Sequence, residues 1–156
     1  MPRRGLAPPR RDEHHGVMIR ASARSRASPD RLWSVVSDVE RWGDRLPTVD
    51  SVRPLGSGPT GVGSRFEVRQ PGLPRAVWEV TDWQQQGRSF TWVSTGPGVR
   101  STGVHTVTDD GGGSRLDLSL EWSGPLARVV ELLIGRRARG MVETEAETFT
   151  GLDEQA

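Results

Sequence analysis

The chain has 156 residues, a length that suits one domain with a single hydrophobic core. All 21 basic residues are arginine, and there is no cysteine or tyrosine, which excludes lysine Schiff bases, thiol nucleophiles, disulfides and cysteine-rich zinc sites. The formal net charge is +1, but the basic excess lies in residues 1–15, so we expect no nucleic-acid-binding face on the folded domain.

Residues 1–15 form an Arg/Pro-rich segment with four arginines against Asp12 and Glu13. The segment has no apolar stretch of the kind found in a signal peptide, and no apolar run elsewhere approaches the roughly 18 residues of a membrane span. We therefore predict a disordered tail over 1–15, a folded domain over 16–152, and a cytoplasmic protein without stable membrane insertion. An alternative role for the tail is contact with an anionic partner.

The first elements are a strand and helical material. "VMIRASARSRA" alternates as a strand, and it ends at Ser28, an N-cap candidate followed by Pro29 at the first helical position. One apolar helical face then contains Leu32, Val35, Val36, Val39 and Trp42. Gly43 is predicted to end this helix, and "DRLPT" to form a short second one.

Six further strands are predicted over 49–57, 64–70, 76–83, 89–95, 99–108 and 114–123, separated by glycine- and proline-rich turns. Alternation gives them one apolar and one polar face, which is typical of a sheet with one solvated side. The apolar face contains Phe66, Val68, Trp78, Val80, Phe90, Trp92, Leu116, Leu118, Leu120 and Trp122. The polar face contains Arg65, Glu67, Arg69, Glu79, Thr91, Arg100, Thr102, Arg115, Asp117 and Glu121.

The turns predict strand registers. If "TGPG" closes one hairpin, Ser94 pairs with Val99, Trp92 with Ser101 and Phe90 with Gly103. If "DDGGGS" closes the next, Val107 pairs with Leu116, His105 with Leu118, Gly103 with Leu120 and Ser101 with Trp122. Both registers place Ser101, Gly103 and His105 on the apolar face.

A final helix is predicted from Pro125 to about Leu152, long enough to cross the whole sheet. Its inward face is predicted to contain Leu126, Val129, Val130, Leu133, Ile134, Ala138, Met141, Val142 and Phe149. Gly135 and Gly140 lie inside it and are interpreted as a bend or a close approach to the backbone.

This order of elements is similar to the helix-grip fold of the START-like (SRPBCC) superfamily. The phrases "ASPDRLWSVVSDVERW", "GVGSRFEVRQPGLP", "VWEVTDWQQQGRSFTWVSTGPG" and "GPLARVVELLIGRRARGMVETEAE" resemble its bacterial polyketide cyclase/dehydrase group. The resemblance covers residues 16–152 and implies an α+β fold. In that fold a curved, seven-stranded antiparallel sheet wraps around a long C-terminal helix, with two short helices after the first strand.

The resemblance also implies a cavity between sheet and helix that takes a small hydrophobic or aromatic ligand. The predicted lining is Phe66, Val68, Trp78, Val80, Phe90, Trp92, Ser101, Gly103, Leu118, Leu120, Trp122 and Met141. Gly103, set between Phe90 and Leu120, is predicted to leave a gap for the ligand. The alternative is that these aromatic side chains form a plain hydrophobic core.

His105 and Glu145 are the candidate catalytic residues. His105 is the one histidine after residue 15, and inside a cavity it could act as a general acid or base or orient a ligand. Glu145 lies four residues after Met141 and could face the cavity with a raised pKa. The alternatives are a structural histidine and a glutamate in the solvated "ETEAE" run.

Two further groups of polar residues are candidates for contacts. Ser94 and Ser101 could donate hydrogen bonds to a ligand. Arg136, Arg137 and Arg139 form a basic patch that could hold an anionic group or a membrane surface, or could pair with Glu131 or Glu143. The cyclases of the superfamily hold substrates with tyrosine, arginine and serine or threonine, and the absence of tyrosine here weakens the specific cyclase interpretation.

The predicted function is therefore binding of a small polyketide- or lipid-like molecule, with cyclisation or dehydration of that molecule, without cofactor or metal, as the enzymatic hypothesis. A carrier or sensor of a lipid-like metabolite is the alternative, and a protein-interaction module is a third. We expect no nucleic-acid partner, and the sequence does not predict an oligomeric state.

Overall fold

The computed structural model describes residues 16–154, so the tail predicted over 1–15 lies outside the described residues. Its elements are β1 (Val17–Ser25), α1 (Pro29–Val36), a 3-10 turn (Val39–Arg41), α2 (Trp42–Arg45), β2 (Ser51–Pro54), β3 (Arg65–Arg69), β4 (Ala76–Gln84), β5 (Ser89–Gly96), β6 (Val99–Asp110), β7 (Gly113–Ser123) and α3 (Ala127–Glu154). The seven strands form one antiparallel sheet in the order β1-β7-β6-β5-β4-β3-β2. The predicted α+β helix-grip architecture is confirmed.

The helix after β1 starts as predicted but ends early. The Ser28 side chain accepts a hydrogen bond from the Arg31 backbone N–H at 3.3 Å, with Pro29 next in the first turn. The helix stops at Val36 because Asp38 leaves the helical region, at φ −84° and ψ 65°. The predicted end at Gly43 is therefore wrong, since Gly43 lies inside α2.

Trp42 closes the break between α1 and α2. Its indole N–H donates a hydrogen bond to the Val36 carbonyl at 3.1 Å, which satisfies one of the free carbonyls at the end of α1. The side chain is buried, and its ring lies 5.3 Å from that of Phe149 on α3. Trp42 thus belongs to the core, and it links the end of α1 to α3.

The β6–β7 register is confirmed, whereas the β5–β6 register is wrong by two residues. The structure pairs Ser94 with Ser101, Trp92 with Gly103 and Phe90 with His105. The hairpin loop contains only Pro97 and Gly98, since Gly96 pairs with Val99. The shift is an even number of residues, so all side chains remain on their predicted faces.

The outer face of the sheet is mostly polar as predicted, and it holds one buried carboxylate. Glu67 is only 8% exposed. Its carboxylate accepts a hydrogen bond from Arg53 at 2.7 Å, with Arg75 and Arg69 at 3.6 and 3.7 Å. The hydrogen bond from Arg53 and the charges of the three arginines hold the pKa of Glu67 below its ordinary value.

Helix α3 packs mainly on β1 and β7, and its inward face differs from the prediction. Ala127, Ala138, Val142, Ala146 and Phe149 are buried. Leu126, Val129 and Leu133 were predicted to face inward but are 45%, 48% and 76% exposed. Among residues 16–154, no helix is long and apolar enough to cross a membrane.

Candidate functional site

A cavity of about 570 Å³ lies between the concave face of the sheet and α3. Its floor comes from β3 to β7, one wall from α3, and its rim from the β3–β4 connection and the β5–β6 turn. The lining is Trp42, Val49, Val68, Gln70, Leu73, Pro74, Arg75, Ala76, Val77, Trp78, Trp92, Ser94, Thr95, Gly96, Pro97, Val99, Ser101, Gly103, His105, Leu118, Ser119, Leu120, Trp122, Val130, Ile134, Ala138, Met141, Val142 and Glu145.

Most of the predicted site residues lie in this lining. They are Val68, Trp78, Trp92, Ser101, Gly103, His105, Leu118, Leu120, Trp122, Met141 and Glu145. Phe66, Val80 and Phe90 are instead packed in the core, at 2%, 1% and 0% exposure, and do not line the cavity. We therefore do not expect these three side chains to contact a ligand.

The Trp92 indole occupies the gap predicted at Gly103. A Cβ atom on Gly103 would lie 2.8 Å from the Trp92 indole nitrogen, so only glycine lets the ring lie across β6 at this point. Trp92 also stacks on Trp78, with 5.1 Å between ring centroids, and meets the edge of Trp42 at 5.1 Å. The prediction of a gap between Phe90 and Leu120 is corrected accordingly: Gly103 is opposite Trp92 and Leu120, and Trp92 fills the space.

His105 is a buried part of the lining, at 5% exposure. Its ring stacks on Phe90 with 4.3 Å between centroids and 6° between planes, and Nδ1 has no hydrogen-bond partner among the described residues. Burial lowers the pKa of His105 to about 3, so the imidazole is neutral near pH 7. A neutral ring with so low a pKa is a weak proton acceptor, which argues against the predicted role as a base.

Glu145 lies on α3 and faces the cavity from the helix side, half-buried. Its Oε1 accepts a hydrogen bond from the Thr48 hydroxyl at 3.1 Å, and the Thr48 carbonyl accepts one from the Gln70 amide at 3.2 Å. Burial raises the pKa of Glu145 to about 7, a shift that the Thr48 hydrogen bond opposes. A carboxyl group with this pKa can both give and take a proton near neutral pH.

Several lining residues were not identified from the sequence. Trp42 was predicted only as part of a core face, and Gln70 is the last residue of the strand predicted over 64–70, where alternation alone does not indicate a role for its side chain. Thr48, which positions Glu145, lies in the connection before β2 and is 97 residues away in sequence. No local pattern connects these positions, because they meet only when α3 crosses the sheet.

The cavity is poor in ionic groups. Besides His105 and Glu145, its polar side chains are uncharged except for Arg75 at the rim. Within residues 16–154, no group of three or more histidine, aspartate or glutamate side chains could hold a metal ion. The site is therefore a largely apolar cavity with a single carboxyl group, that of Glu145, in its lining.

The sequence matches one family model, described as polyketide cyclase / dehydrase and lipid transport, over residues 17–150. A search of curated proteins finds no significant match.

Solved structures share the fold at low sequence identity. A protein from Thermus thermophilus is 19% identical, with a TM-score of 0.72 over 89% of this chain and 98% of its own. Norcoclaurine synthase from Thalictrum flavum, solved with dopamine and hydroxybenzaldehyde, is 18% identical, with a TM-score of 0.72 over 99% of this chain and 98% of its own. The Zhui aromatase/cyclase from Streptomyces sp. R1128 is 21% identical, with a TM-score of 0.64 over 90% of this chain and 95% of its own.

Proposed function

The chain belongs to the family of polyketide cyclases, dehydrases and lipid transport proteins, a START-like family, and on this premise we propose that it binds a small apolar or aromatic molecule between the sheet and α3. The cavity carries this proposal. Its volume of about 570 Å³ lies within the range of roughly 300–1,000 Å³ typical of ligand pockets. Its walls are mostly apolar, with few polar groups to orient the ligand.

The shape of the lining favours a flat ligand with few polar groups. Trp78 and Trp92 stack on each other in the floor, and Trp42 and Trp122 also line the cavity. Aromatic faces of this kind pack well on a planar, unsaturated ligand. The Ser94 and Ser101 hydroxyls and the His105 Nε2 atom are the groups we assign to hydrogen bonds with ligand oxygen atoms.

A single substitution in the lining tests the cavity directly. Ser101→Phe places a ring inside the cavity, and we expect binding of the apolar dye anilinonaphthalene sulfonate to weaken at least about tenfold. Thr102→Phe is the matched control, because the next residue of β6 points to the outer face. Equal dye binding by both variants would show that the dye does not bind in the cavity.

Native mass spectrometry of the purified protein then identifies a natural ligand. We expect a non-covalent adduct with wild-type protein that Ser101→Phe lacks. Quenching of tryptophan emission by added apolar compounds provides a second readout, since four of the six tryptophans line the cavity.

A second function, conversion of the ligand, is supported by Glu145. The carboxylate can take a proton from a carbon next to a carbonyl group, the resulting enolate can attack a second carbonyl of the same chain, and the Glu145 acid can return the proton to the new alkoxide. This closes a ring, and loss of water from the product gives a double bond. The neutral His105 would orient a carbonyl rather than move the proton.

Glu145→Gln separates this hypothesis from a non-catalytic carrier or sensor. With a poly-β-ketone thioester as probe, we expect wild-type protein to release one water per molecule and Glu145→Gln to bind the probe without converting it. His105→Gln should lower the rate less than Glu145→Gln does. Binding without conversion by the wild type would favour the carrier.

We also infer that the chain has no nucleic-acid partner, because its charge after residue 15 is near neutral.

A further inference from the structure

The outer face of the first half of α3 is apolar and exposed. Val129, Leu132 and Leu133 are 48%, 86% and 76% exposed. Their spacing of three and four residues places them in one stripe, on the side of the helix away from the buried Ala127 and Ala138. Leu132 and Leu133 are the most exposed leucines of the described chain, and they are adjacent to one another.

The opposite side of the same turns is apolar too. Val130 and Ile134 line the cavity, so this part of α3 has apolar residues on both faces. A helix that is apolar on all sides is normally buried on all sides. Adjacent exposed leucines therefore indicate a surface that binds a partner or a membrane.

Charge distinguishes the first half of α3 from the second. Arg128, Arg136, Arg137 and Arg139 lie among or directly after the apolar residues, with Glu131 as the one acidic residue there. The pairing predicted for the arginines with Glu131 or Glu143 does not form, since no salt bridge in the described chain involves them. The next acidic residue after Glu131 is Glu143. The stripe is therefore apolar and cationic.

The stripe lies beside the cavity rim. Leu126 precedes it and packs on Gly98 of the β5–β6 turn, and the Leu126 N–H donates to the Gly98 carbonyl at 2.9 Å. The neighbouring turn residues Thr95 and Pro97 line the cavity. A surface that covered the stripe would thus meet the rim.

A second copy of the chain fits this face poorly. An antiparallel pair of helices centred on Leu132 and Leu133 would bring Arg128 of one copy towards Arg137 of the other. A parallel pair would place Arg136 against Arg136. Both arrangements join like charges around the leucines.

We propose that the outer face of the first half of α3 docks on an anionic lipid surface. Leu132 and Leu133 reach the boundary between headgroups and acyl chains, and Arg136 and Arg139 contact lipid phosphates. The helix lies on the surface and does not cross it. This docking surface goes beyond the proposed ligand binding and does not depend on it.

Vesicle binding of the full chain tests the proposal. We expect wild-type protein to sediment with vesicles of phosphatidylcholine and phosphatidylglycerol in equal parts, and to bind them at least about tenfold more tightly than phosphatidylcholine alone. Leu132→Ser/Leu133→Ser should weaken binding at least about tenfold. Arg136→Gln/Arg139→Gln should remove most of the preference for the anionic lipid.

The matched control is Leu55→Ser/Val62→Ser, which changes two exposed apolar residues near β2. We expect it to bind vesicles like the wild type. Because the chain has no cysteine, Leu132→Cys and Val62→Cys can each carry a single environment-sensitive dye. Vesicles should shift the emission of the dye to the blue at Leu132 only.

Three results would overturn the proposal: wild-type protein that stays in solution with anionic vesicles, serine variants that bind as tightly as wild type, and a dimer by light scattering that Leu132→Ser/Leu133→Ser makes monomeric. Dye binding to the cavity, measured on the same variants, should not change. If the wild-type protein does not bind the dye at all, this would instead count against the ligand-binding proposal.

Discussion

Two ionisable side chains of the cavity show how burial acts on different charges. Burial raises the pKa of Glu145 to about 7 and lowers that of His105 to about 3. In both residues the neutral form is favoured, because an apolar surrounding disfavours either charge. Near neutral pH only Glu145 can change its protonation state easily. The proton-transfer role predicted first for His105 is therefore better supported for Glu145.

Gly103 is the residue on which the aromatic floor depends. Gly103→Ala would place a Cβ 2.8 Å from the Trp92 indole nitrogen, so the ring must move from its stack on Trp78. We expect a loss of about 1–3 kcal/mol in the free energy of unfolding, together with a changed tryptophan emission spectrum.

Urea unfolding measures this loss, and Gly61→Ala is the control. No atom lies within 4 Å of a Cβ at Gly61, so this variant should keep both the stability and the spectrum of the wild type. An unchanged Gly103→Ala variant would show that Trp92 does not lie over β6.

At the scale of elements, a strand register was predicted correctly where the turn residues alone determine it, and incorrectly where a tertiary contact determines it. The "DDGGGS" turn fixes the β6–β7 register through its own residues, and the prediction is confirmed. The β5–β6 turn is shorter than predicted because Gly98, at φ +72°, allows a two-residue loop whose carbonyl binds the start of α3. That contact joins segments far apart in sequence, so the turn residues alone could not indicate it.

A β-bulge shows the same limit of alternation. The register of β4 on β5 shifts between Val80 and Asp82, so Trp83 pairs with Phe90. Strict alternation from Val80 would place Trp83 on the outer face. The bulge instead brings it into ring contact with Phe90 and Trp33, at 5.2 and 5.4 Å between centroids. Alternation cannot locate an inserted residue, so this aromatic cluster could not be predicted.

Gly140, inside α3, and Gly124, just before α3, lead to predictions of opposite effects on the free energy of unfolding. Gly140 was interpreted as a bend or a close approach, but nothing lies within 4 Å of a Cβ built on it. Gly140→Ala should therefore raise the free energy of unfolding by about 0.5–1 kcal/mol, because alanine favours the helix.

Gly124→Ala should have the opposite effect on stability. Gly124 lies just before α3 at φ +101°, and a Cβ there would lie 2.8 Å from the Gly98 carbonyl oxygen. Urea unfolding of the two variants side by side tests both signs. A Gly140→Ala variant that loses stability would indicate a close contact at that position.

At the scale of the whole molecule, the sequence established the layers of the fold but not the covering of α3. Apolar residues occur at nearly every position from Leu126 to Ile134, so periodicity cannot choose an inward face there. The structure turns Val130 and Ile134 to the cavity and leaves Leu132 and Leu133 exposed. The environment of Glu145 could not be predicted from the sequence either, because its contact with Thr48 forms only in the complete fold.

The opposite pKa shifts predict the pH dependence of global stability. Folded Glu145 keeps a proton that the unfolded chain loses above its ordinary pKa of 4.5, so stability falls as pH rises from there to about 7. The unfolded chain gains a proton on His105 below its ordinary pKa of 6.5, whereas the folded protein does not until about pH 3, so stability also falls as pH drops. Between pH 4.5 and pH 6.5 the two effects oppose each other, so we expect the free energy of unfolding to stay nearly constant there.

Single variants should separate the two contributions in urea unfolding across this pH range. Glu145→Gln should remove the decline at higher pH and raise stability near pH 8 by about 3 kcal/mol. His105→Gln should instead steepen the decline with rising pH, because nothing then opposes Glu145. Acid unfolding remains in both variants, since Glu67, whose pKa is lowered chiefly by the Arg53 hydrogen bond, loses its ion pairs when protonated. Parallel pH profiles for the wild type and Glu145→Gln would show that the carboxyl group is solvated like a surface glutamate, and the proton-transfer role would lose its basis.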